Sequence, residues 1–444
     1  MVEVNKIKEL IEKGEFKELE KLIKNTPIHE IAEIFDELDE YEMRKILDLL
    51  TEDNKLILFE NLEIPEQKKL LDVLNKREKV FILNNVSSEK LADLFSELPR
   101  SKQIELQLLM EEDLIEEIKE LMKYKPESAG GIMTKEFVAL PGDITVEEAI
   151  DILRKSKKKI KSEFWKIFVV DRNNRLIGAV KIHDLLFSSP EVKLIRLAKK
   201  TPKVYIDTDQ EVVANLISKY DVEAIPVVDR EGHIKGIVEV DTALDVLENE
   251  ATEDIYKFGA AGNLPHDYVH AGILRIARSR AIWLTVLVFA SFGSTFVIEQ
   301  FTNFIGKKAF LAMFMPVVAG CAGNAGTQAA SVMIRGLATG FIEFRDLIRI
   351  LLKELAIGMI IGPLIGVLLA IRASFSIRIP QLFLCLILTM SVTITLATVM
   401  GAFLPFALKK AGTDPAHASG PLTTTLTDIF SLAIYFGIAW HLLK

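Results

Sequence analysis

Cysteine is nearly absent from this chain, with 2 in 444 residues, and histidine is scarce, with 7. Two thiols exclude a disulfide scaffold, and no cluster of His and Cys offers a site to a soft metal. An excess of basic residues is lacking too: 54 Lys and Arg stand against 62 Asp and Glu. An anionic surface repels phosphate, which argues against nucleic-acid binding. Nor does any nucleophile–base pair, phosphate loop or catalytic metal cluster occur, so an enzyme is not expected. Charge itself is missing from one part. Residues 281–444 hold 11 basic and 6 acidic residues, whereas residues 1–280 hold 43 basic and 56 acidic. A chain divided in this way is neither a single soluble globule nor a disordered polymer.

What the back part has instead is length without charge. A helix needs about 20 apolar residues to cross a bilayer. Charge-free stretches of that order run through 281–298, 309–334, 355–371 and 379–408, and a fifth, 429–443, reaches full length if its helix starts near Gly420 and carries Asp428. Five spans are therefore expected. Arg275, Arg278, Arg280, Arg335, Arg345, Arg349, Lys409 and Lys410 flank one side; Lys307, Lys308, Arg372, Arg378 and Lys444 flank the other. The larger basic set predicts a cytoplasmic N-terminal region and an outer C-terminus. Met1–Leu10 is charged and has no apolar signal-peptide core, so none is expected. Cys321 and Cys385 fall inside spans and read as buried thiols.

Two repeats organise the front part. Leu38, Leu50, Leu62, Leu74, Val86 and Leu98 recur every twelve positions, with helical spacing such as Ile31, Ile34, Phe35 and Leu38, and with turn or cap signals at Thr51, Pro65, Ser87 and Pro99. One short helix plus a turn per period predicts a helical superhelix ending near Tyr124; a chance run in a Leu-rich helical domain is the alternative. The second repeat aligns Ile167–Asp171 with Ile225–Asp229 and Gly178 with Gly236, each pair 58 residues apart. Each copy reads strand, turn, glycine, strand, helix, behind an earlier strand and helix. This tandem pattern resembles a pair of CBS modules, which are regulatory ligand-sensing domains. The basic run Lys155–Lys161 reads as a solvated face, with contact to an anionic nucleotide or lipid as the alternative.

Three places carry candidate chemistry. Asp428 is the one carboxylate expected in a span interior, and an ionised group there marks an ion pathway or a paired charge. Its neighbours Ser419, Gly420, Pro421, Thr423, Thr424, Thr425 and Thr427 supply hydroxyls and a backbone expected to be irregular around Pro421. Irregular backbone at that depth lines a cavity, and oxygen donors suit a hard cation such as Mg2+. The second place is Gly320–Gln328, where three glycines at three-residue spacing permit close helix approach. There Asn324, Thr327 and Gln328 would face pore water, or serve a helix-packing face. The third is Asp207–Asp254, 48 residues with 14 acids and 3 bases, either a solvated acidic face or a set of cation sites next to the first span.

Four motifs together resemble the MgtE magnesium transporters and channels: Ser-Ala-Gly-Gly-Ile-Met-Thr at 128–134, Glu-Ala-Thr-Glu-Asp-Ile at 250–255, Gly-Asn-Ala-Gly-Thr-Gln at 323–328, and Asp-Pro-Ala-His-Ala-Ser-Gly-Pro at 414–421, continuing to Asp428. The resemblance implies a multidomain protein. It comprises an α-helical superhelical N-domain (1–127), two α/β CBS modules (128–190 and 191–247), a connecting or plug helix (248–277) and a five-helix transmembrane domain (278–444). It further implies a homodimer in the lipid of the cell membrane, with its pore on the two-fold axis. Gly323, Asn324, Gly326, Thr327, Gln328, Gly420, Pro421 and Thr424 would line that pore, and Asp428 would hold hydrated Mg2+ in it. Asp414 would sit at the cytoplasmic mouth. Gating Mg2+ would bind Asp93, Asp209, Glu211, Asp221, Asp245, Glu250, Glu253 and Asp254, packing the cytoplasmic domains together and closing the pore. The chain has Asp241-Thr242 where the family often has two acids, which puts one sensor site in doubt. The resemblance also admits a nucleotide at the CBS modules, with no residue set to assign it.

The expected function is Mg2+ uptake gated by cytoplasmic Mg2+ in a prokaryotic-type plasma membrane. Exchange of another divalent cation such as Mn2+ or Co2+ is the alternative within the same class. A membrane-anchored Mg2+ or nucleotide sensor without transport is the alternative outside it.

Overall fold

The twelve-residue period is visible in the helices themselves. In the computed structural model, which describes residues 4–156, 166–261, 272–377, 379–418 and 420–443, three helices come first: α1 (Val4–Glu12), α2 (Phe16–Asn25) and α3 (Ile28–Ala32). Seven more begin at twelve-residue intervals: α4 (Glu40–Leu47), α5 (Glu52–Glu60), α6 (Ile64–Val73), α7 (Lys76–Leu83), α8 (Ser88–Ser96), α9 (Arg100–Gln107) and α10 (Glu112–Leu121). The recurring apolar residue sits in the turn before each new helix, where Leu38, Leu62, Leu74, Val86 and Leu98 are buried. Local chemistry sets the starts. Asp39 with Glu42 and Asn75 with Glu78 form capping boxes, and the Thr51 hydroxyl accepts from the N–H of Asn54, which satisfies donors a helix start leaves unpaired.

The 58-residue repeat becomes two three-stranded sheets of one design. A short helix α11 (Ala129–Ile132) leads in. The first sheet has β1 (Ala139–Pro141), β2 (Lys166–Val170) and β3 (Leu176–Lys181), with α12 (Val146–Ser156), α13 (Ile182–Leu186) and α14 (Leu194–Leu197). The second has β4 (Val204–Tyr205), β5 (Ala224–Val228) and β6 (Ile234–Glu239), with α15 (Gln210–Tyr220). In each, the first strand pairs parallel and the last antiparallel with the middle one. The registers match as well, Val169 opposite Gly178 and Val227 opposite Gly236. The matched glycines have a steric purpose. A Cβ on Gly178 would lie 2.5 Å from the Lys199 carbonyl oxygen, and one on Gly236 would lie 2.7 Å from that of Thr134. A passing segment is thus hydrogen-bonded against each last strand. The 128–134 motif serves the second sheet in this way: Ala129 and Gly130 donate to Thr208 and Ile206, and Thr134 to Ile237. Most of the basic run Lys155–Lys161 lies outside the described residues.

Residues Met1–Leu247 form one compact unit and Glu248–Lys444 another. The helix α16 (Val240–Phe258) ends far short of the expected 275–277: Gly259 follows, and Ala260 turns the chain with a left-handed φ of 51°. The remainder of the expected connecting segment includes residues outside the described set. In the second unit, five helices are long and apolar enough to cross a membrane. They are α17 (Ile273–Lys307), α18 (Met315–Ala338), α19 (Leu347–Ser374), α20 (Pro380–Lys410) and α21 (Gly420–Leu442). Arg378, Ser419 and Lys444 lie outside the described residues. Helices α17 and α19 extend beyond their charge-free stretches and also carry Glu299 and Glu354. One expectation needs correction: the chain at Pro421 itself is regular, because this residue stands in the first turn of α21, where proline gives up no hydrogen bond.

Candidate functional site

Spans two and five meet along a polar seam. Thr423, Thr427 and Ser431 recur at four-residue spacing on α21 and are buried. Their hydroxyls donate to backbone carbonyls of Ala418, Thr424 and Asp428, so no donor is left unpaired in an apolar setting. Thr424 Oγ1 lies 3.2 Å from Thr327 Oγ1, which also reaches the Gly420 carbonyl. Gly323 and Gly326, expected beside a pore, pack closely against neighbouring helices of the chain. A Cβ on Gly323 would lie 2.7 Å from Thr424 Cγ2, and one on Gly326 would meet Thr423, Thr427 and Ala397 at 3.1–3.2 Å. Gly420 is buried as well, and Pro421 and Thr424 are half-buried. Gly320 has nothing within 4 Å, so the packing expected of all three glycines belongs to two. Asn324 and Gln328, four residues apart on α18, are exposed. Asp428 is half-buried, one turn beyond Thr424, and its Oδ1 is buried without a hydrogen-bond partner.

A second set of acids gathers where α16 meets the loop before α21. Lys257 Nζ donates to Glu253 Oε1 and to Asp414 Oδ2, both at 2.7 Å. Asp414 Oδ1 accepts from the N–H of Ala416. Burial would raise the Asp414 carboxyl, but the Lys257 and Ala416 hydrogen bonds hold it below its ordinary value. Asp254 is pushed the other way, to about 6, by burial and by the charge of Asp414, with Glu250 and Glu253 adding to it. One ammonium therefore leaves the local potential negative. These oxygen donors and that residual charge fit a hard divalent cation.

The remaining expected residues are spread over α8, α15 and α16. Asp93 is exposed on α8 and Asp245 on α16. Asp209 caps α15 by accepting from the N–H of Glu211, and Asp221 closes the same helix in a left-handed conformation. Much of the Asp207–Asp254 acidity already has partners: Asp207 with Arg230, Glu223 with Lys166, and Asp229 with His233 and Lys235. Asp229, Glu231 and His233 converge within 4.8 Å, a group of two carboxylates and one histidine. Both Asp229 oxygens are engaged, by the N–H groups of Glu231 and His233 and by His233 Nδ1, so this group staples the β5–β6 turn.

With that geometry in view, comparison with known proteins is decisive. The family model described as a divalent cation transporter matches residues 315–438, the MgtE intracellular N domain 26–127, and the CBS domain 129–191 and 195–249. The magnesium transporter MgtE of Thermus thermophilus is 35% identical over 99% of this chain and 98% of its own length. This chain belongs to the MgtE family. The MgtE of Bacillus subtilis is 33% identical over 97% of this chain and 95% of its own length. A crystal structure of the cytosolic domain of the Mg2+ channel MgtE in complex with ATP aligns with 32% identity and a TM-score of 0.50, covering 54% of this chain and 98% of that one. The chain is a multi-pass membrane protein with a soluble N-terminal region.

Within this MgtE chain, sequence reasoning missed two groups. Glu239 on β6 is pushed up to about 7 by burial and by the charges of Asp241, Glu89 and Glu136. The count of acids in 207–254 contained two of these, but nothing in the sequence joined them to Glu89 and Glu136. Lys257 was missed as the partner of Asp414, from which 157 residues separate it.

Proposed function

We propose that this protein is a Mg2+-selective uptake channel or transporter, a homodimer in the cell membrane, whose N-terminal region lies in the cytoplasm and closes the pore when cytoplasmic Mg2+ is high. The observation that carries this reading is Asp428: a carboxylate in a span, beside the Thr327–Thr424 seam, with one buried oxygen that no protein donor engages. Hydrated Mg2+ is the cargo suited to such a group, because Mg2+ sheds water reluctantly and takes oxygen ligands. The exposed Asn324 and Gln328 on α18 support the dimer, since amides facing lipid are costly and a second copy across a water-filled axis relieves that cost. The membrane potential supplies about 2.3 kcal/mol per charge per 100 mV, so entry needs no chemical step and we assign no catalysis.

Gating Mg2+ is assigned to Asp414, Glu250, Glu253 and Asp254 at the pore mouth, with Asp93, Asp209, Glu211, Asp221 and Asp245 as further ligands. The chain divides into N-domain, two CBS modules, connecting segment and transmembrane domain, with α16 supplying the first part of the connecting segment up to Phe258. A nucleotide site is proposed in the second CBS module. A cleft of about 360 Å3 there is lined by Tyr205, Asp207, Asp229 and Arg230, which offer a stacking ring, acceptors for ribose and a cation for phosphate.

Mg2+ flux into proteoliposomes tests the reading. Asp428→Ala is expected to reduce flux to the lipid background, and flux at the wild-type rate would remove the pore assignment. Equal competition by Mn2+ or Co2+ would favour the broader cation exchanger. Ligand-dependent rearrangement with no flux would favour the sensor.

A further inference from the structure

Among the described residues, Lys257 is the cation in direct contact with the carboxylates assigned above to the pore-mouth ion. It is half-buried, with its side chain 16% exposed, and its ammonium bridges Glu253, four residues back on its own helix, to Asp414 in the loop before span five. Two of the oxygens a divalent ion would use are thus already held by a charge belonging to the chain. An ammonium and a divalent cation cannot share that position, because both are positive and both need the same lone pairs. We propose that Lys257 is a tethered competitor of gating Mg2+: it fills the pore-mouth site when the ion is scarce and must leave Asp414 when the ion binds.

This inference rests on the assignment of Asp414 and Glu253 as ligands, and the chemistry of lysine suits the role. Its ammonium is a compact point charge on a flexible stem that swings away at small cost, unlike a planar guanidinium locked by paired hydrogen bonds. A divalent ion binds carboxylate oxygens at about 2.1 Å with twice the charge, so it wins once concentrated enough. Lys257 thereby sets how much Mg2+ is enough. A plain structural staple between α16 and the loop would have the opposite signature, because removing a staple loosens the site and weakens ion binding.

The test uses the full chain in detergent and in proteoliposomes. Acetylation of Lys257 by acetic anhydride, followed by mass spectrometry, is expected to rise about fivefold as Mg2+ is titrated in. Its midpoint should match the one at which Mg2+ halves the flux. Lys257→Gln is expected to lower the Mg2+ midpoint about tenfold, and Lys257→Arg, whose guanidinium holds carboxylates by paired hydrogen bonds and leaves them less readily, to raise it by about threefold or more. Labelling that falls or stays level while Mg2+ still closes the channel overturns the proposal, as does a Lys257→Gln midpoint that is unchanged or higher. Asp414→Asn separates the two levels. A wild-type Mg2+ midpoint in that variant overturns the ligand assignment itself, whereas a raised midpoint there, together with Lys257 labelling in the unaltered protein that does not respond to Mg2+, overturns only the competition. Should Lys257→Gln fail to fold, the labelling of unaltered protein still decides.

Discussion

Glu78 is the most heavily engaged carboxylate of the helical N-terminal region. It accepts from Arg44 at 2.7 and 3.0 Å, from the buried Lys55, and from the N–H of Asn75 as half of a capping box. The Arg44 hydrogen bonds outweigh the cost of burial, and with help from Lys55 and Asn75 they hold its carboxyl down at about 2. A depressed folded value means stability that is fully present above the unfolded value, near 4.5, and is lost as the pH falls towards 2. Glu78→Gln is expected to cost about 3 kcal/mol at pH 7. The gap from wild type should narrow as unfolding is measured at successively lower pH between about 4.5 and 2. A gap that stays constant across that window would show that charge at Glu78 is not what stabilises the fold. Its partners come from helices 23 and 34 residues earlier in the chain, a pairing that no local pattern around Glu78 shows.

At the scale of elements, glycine spacing decides how the spans pack. Gly358, Gly362 and Gly366 on α19 lie against α20, where an added Cβ would fall 2.5–2.8 Å from the Cα atoms of Thr395, Ser391 and Ile387. Their four-residue spacing is the small-residue pattern of tightly paired spans, a signal already present in the sequence. Spans two and four cross even more closely: a Cβ on Gly401 would lie 2.0 Å from the Gly326 carbonyl oxygen. Gly401→Ala is therefore expected to destabilise the membrane domain by about 1–3 kcal/mol through overpacking. Gly320→Ala, with open space around it, should stay within about 0.5 kcal/mol of wild type. Thermal unfolding in detergent checks the pair, and equal losses at both positions would refute the packing assignment.

For the whole molecule, the division of charge is also a statement about ions. The front 280 residues carry a net −13 and the remainder +5, and self-repulsion on that scale is relieved by bound cations. Stripping Mg2+ with a chelator is expected to lower the melting temperature of the full chain, and restoring it to reverse the loss. The gain is about 2.7 kcal/mol for each site at an ion concentration a hundredfold above its Kd. An equal ionic strength of NaCl should recover only part of it, since screening does not replace coordination. Full recovery with NaCl would reduce the acidic sites to general electrostatics.

Sequence by itself determined the features that depend on neighbours along the chain. The five spans follow from uncharged length, the N-terminal helices from a twelve-residue period with caps, and the twin sheets from a 58-residue repeat. Asp428 stood out because a carboxylate in an apolar run is expensive wherever the run folds. What only tertiary structure decided involves residues brought together from far apart. It separated the glycines buried in seams from those left open, and the acids of 207–254 already paired from those still crowded. It also joined Lys257 to Asp414. A span's existence is set by its own composition, but which of its faces meets a neighbour depends on where other helices lie, and no local pattern carries that information.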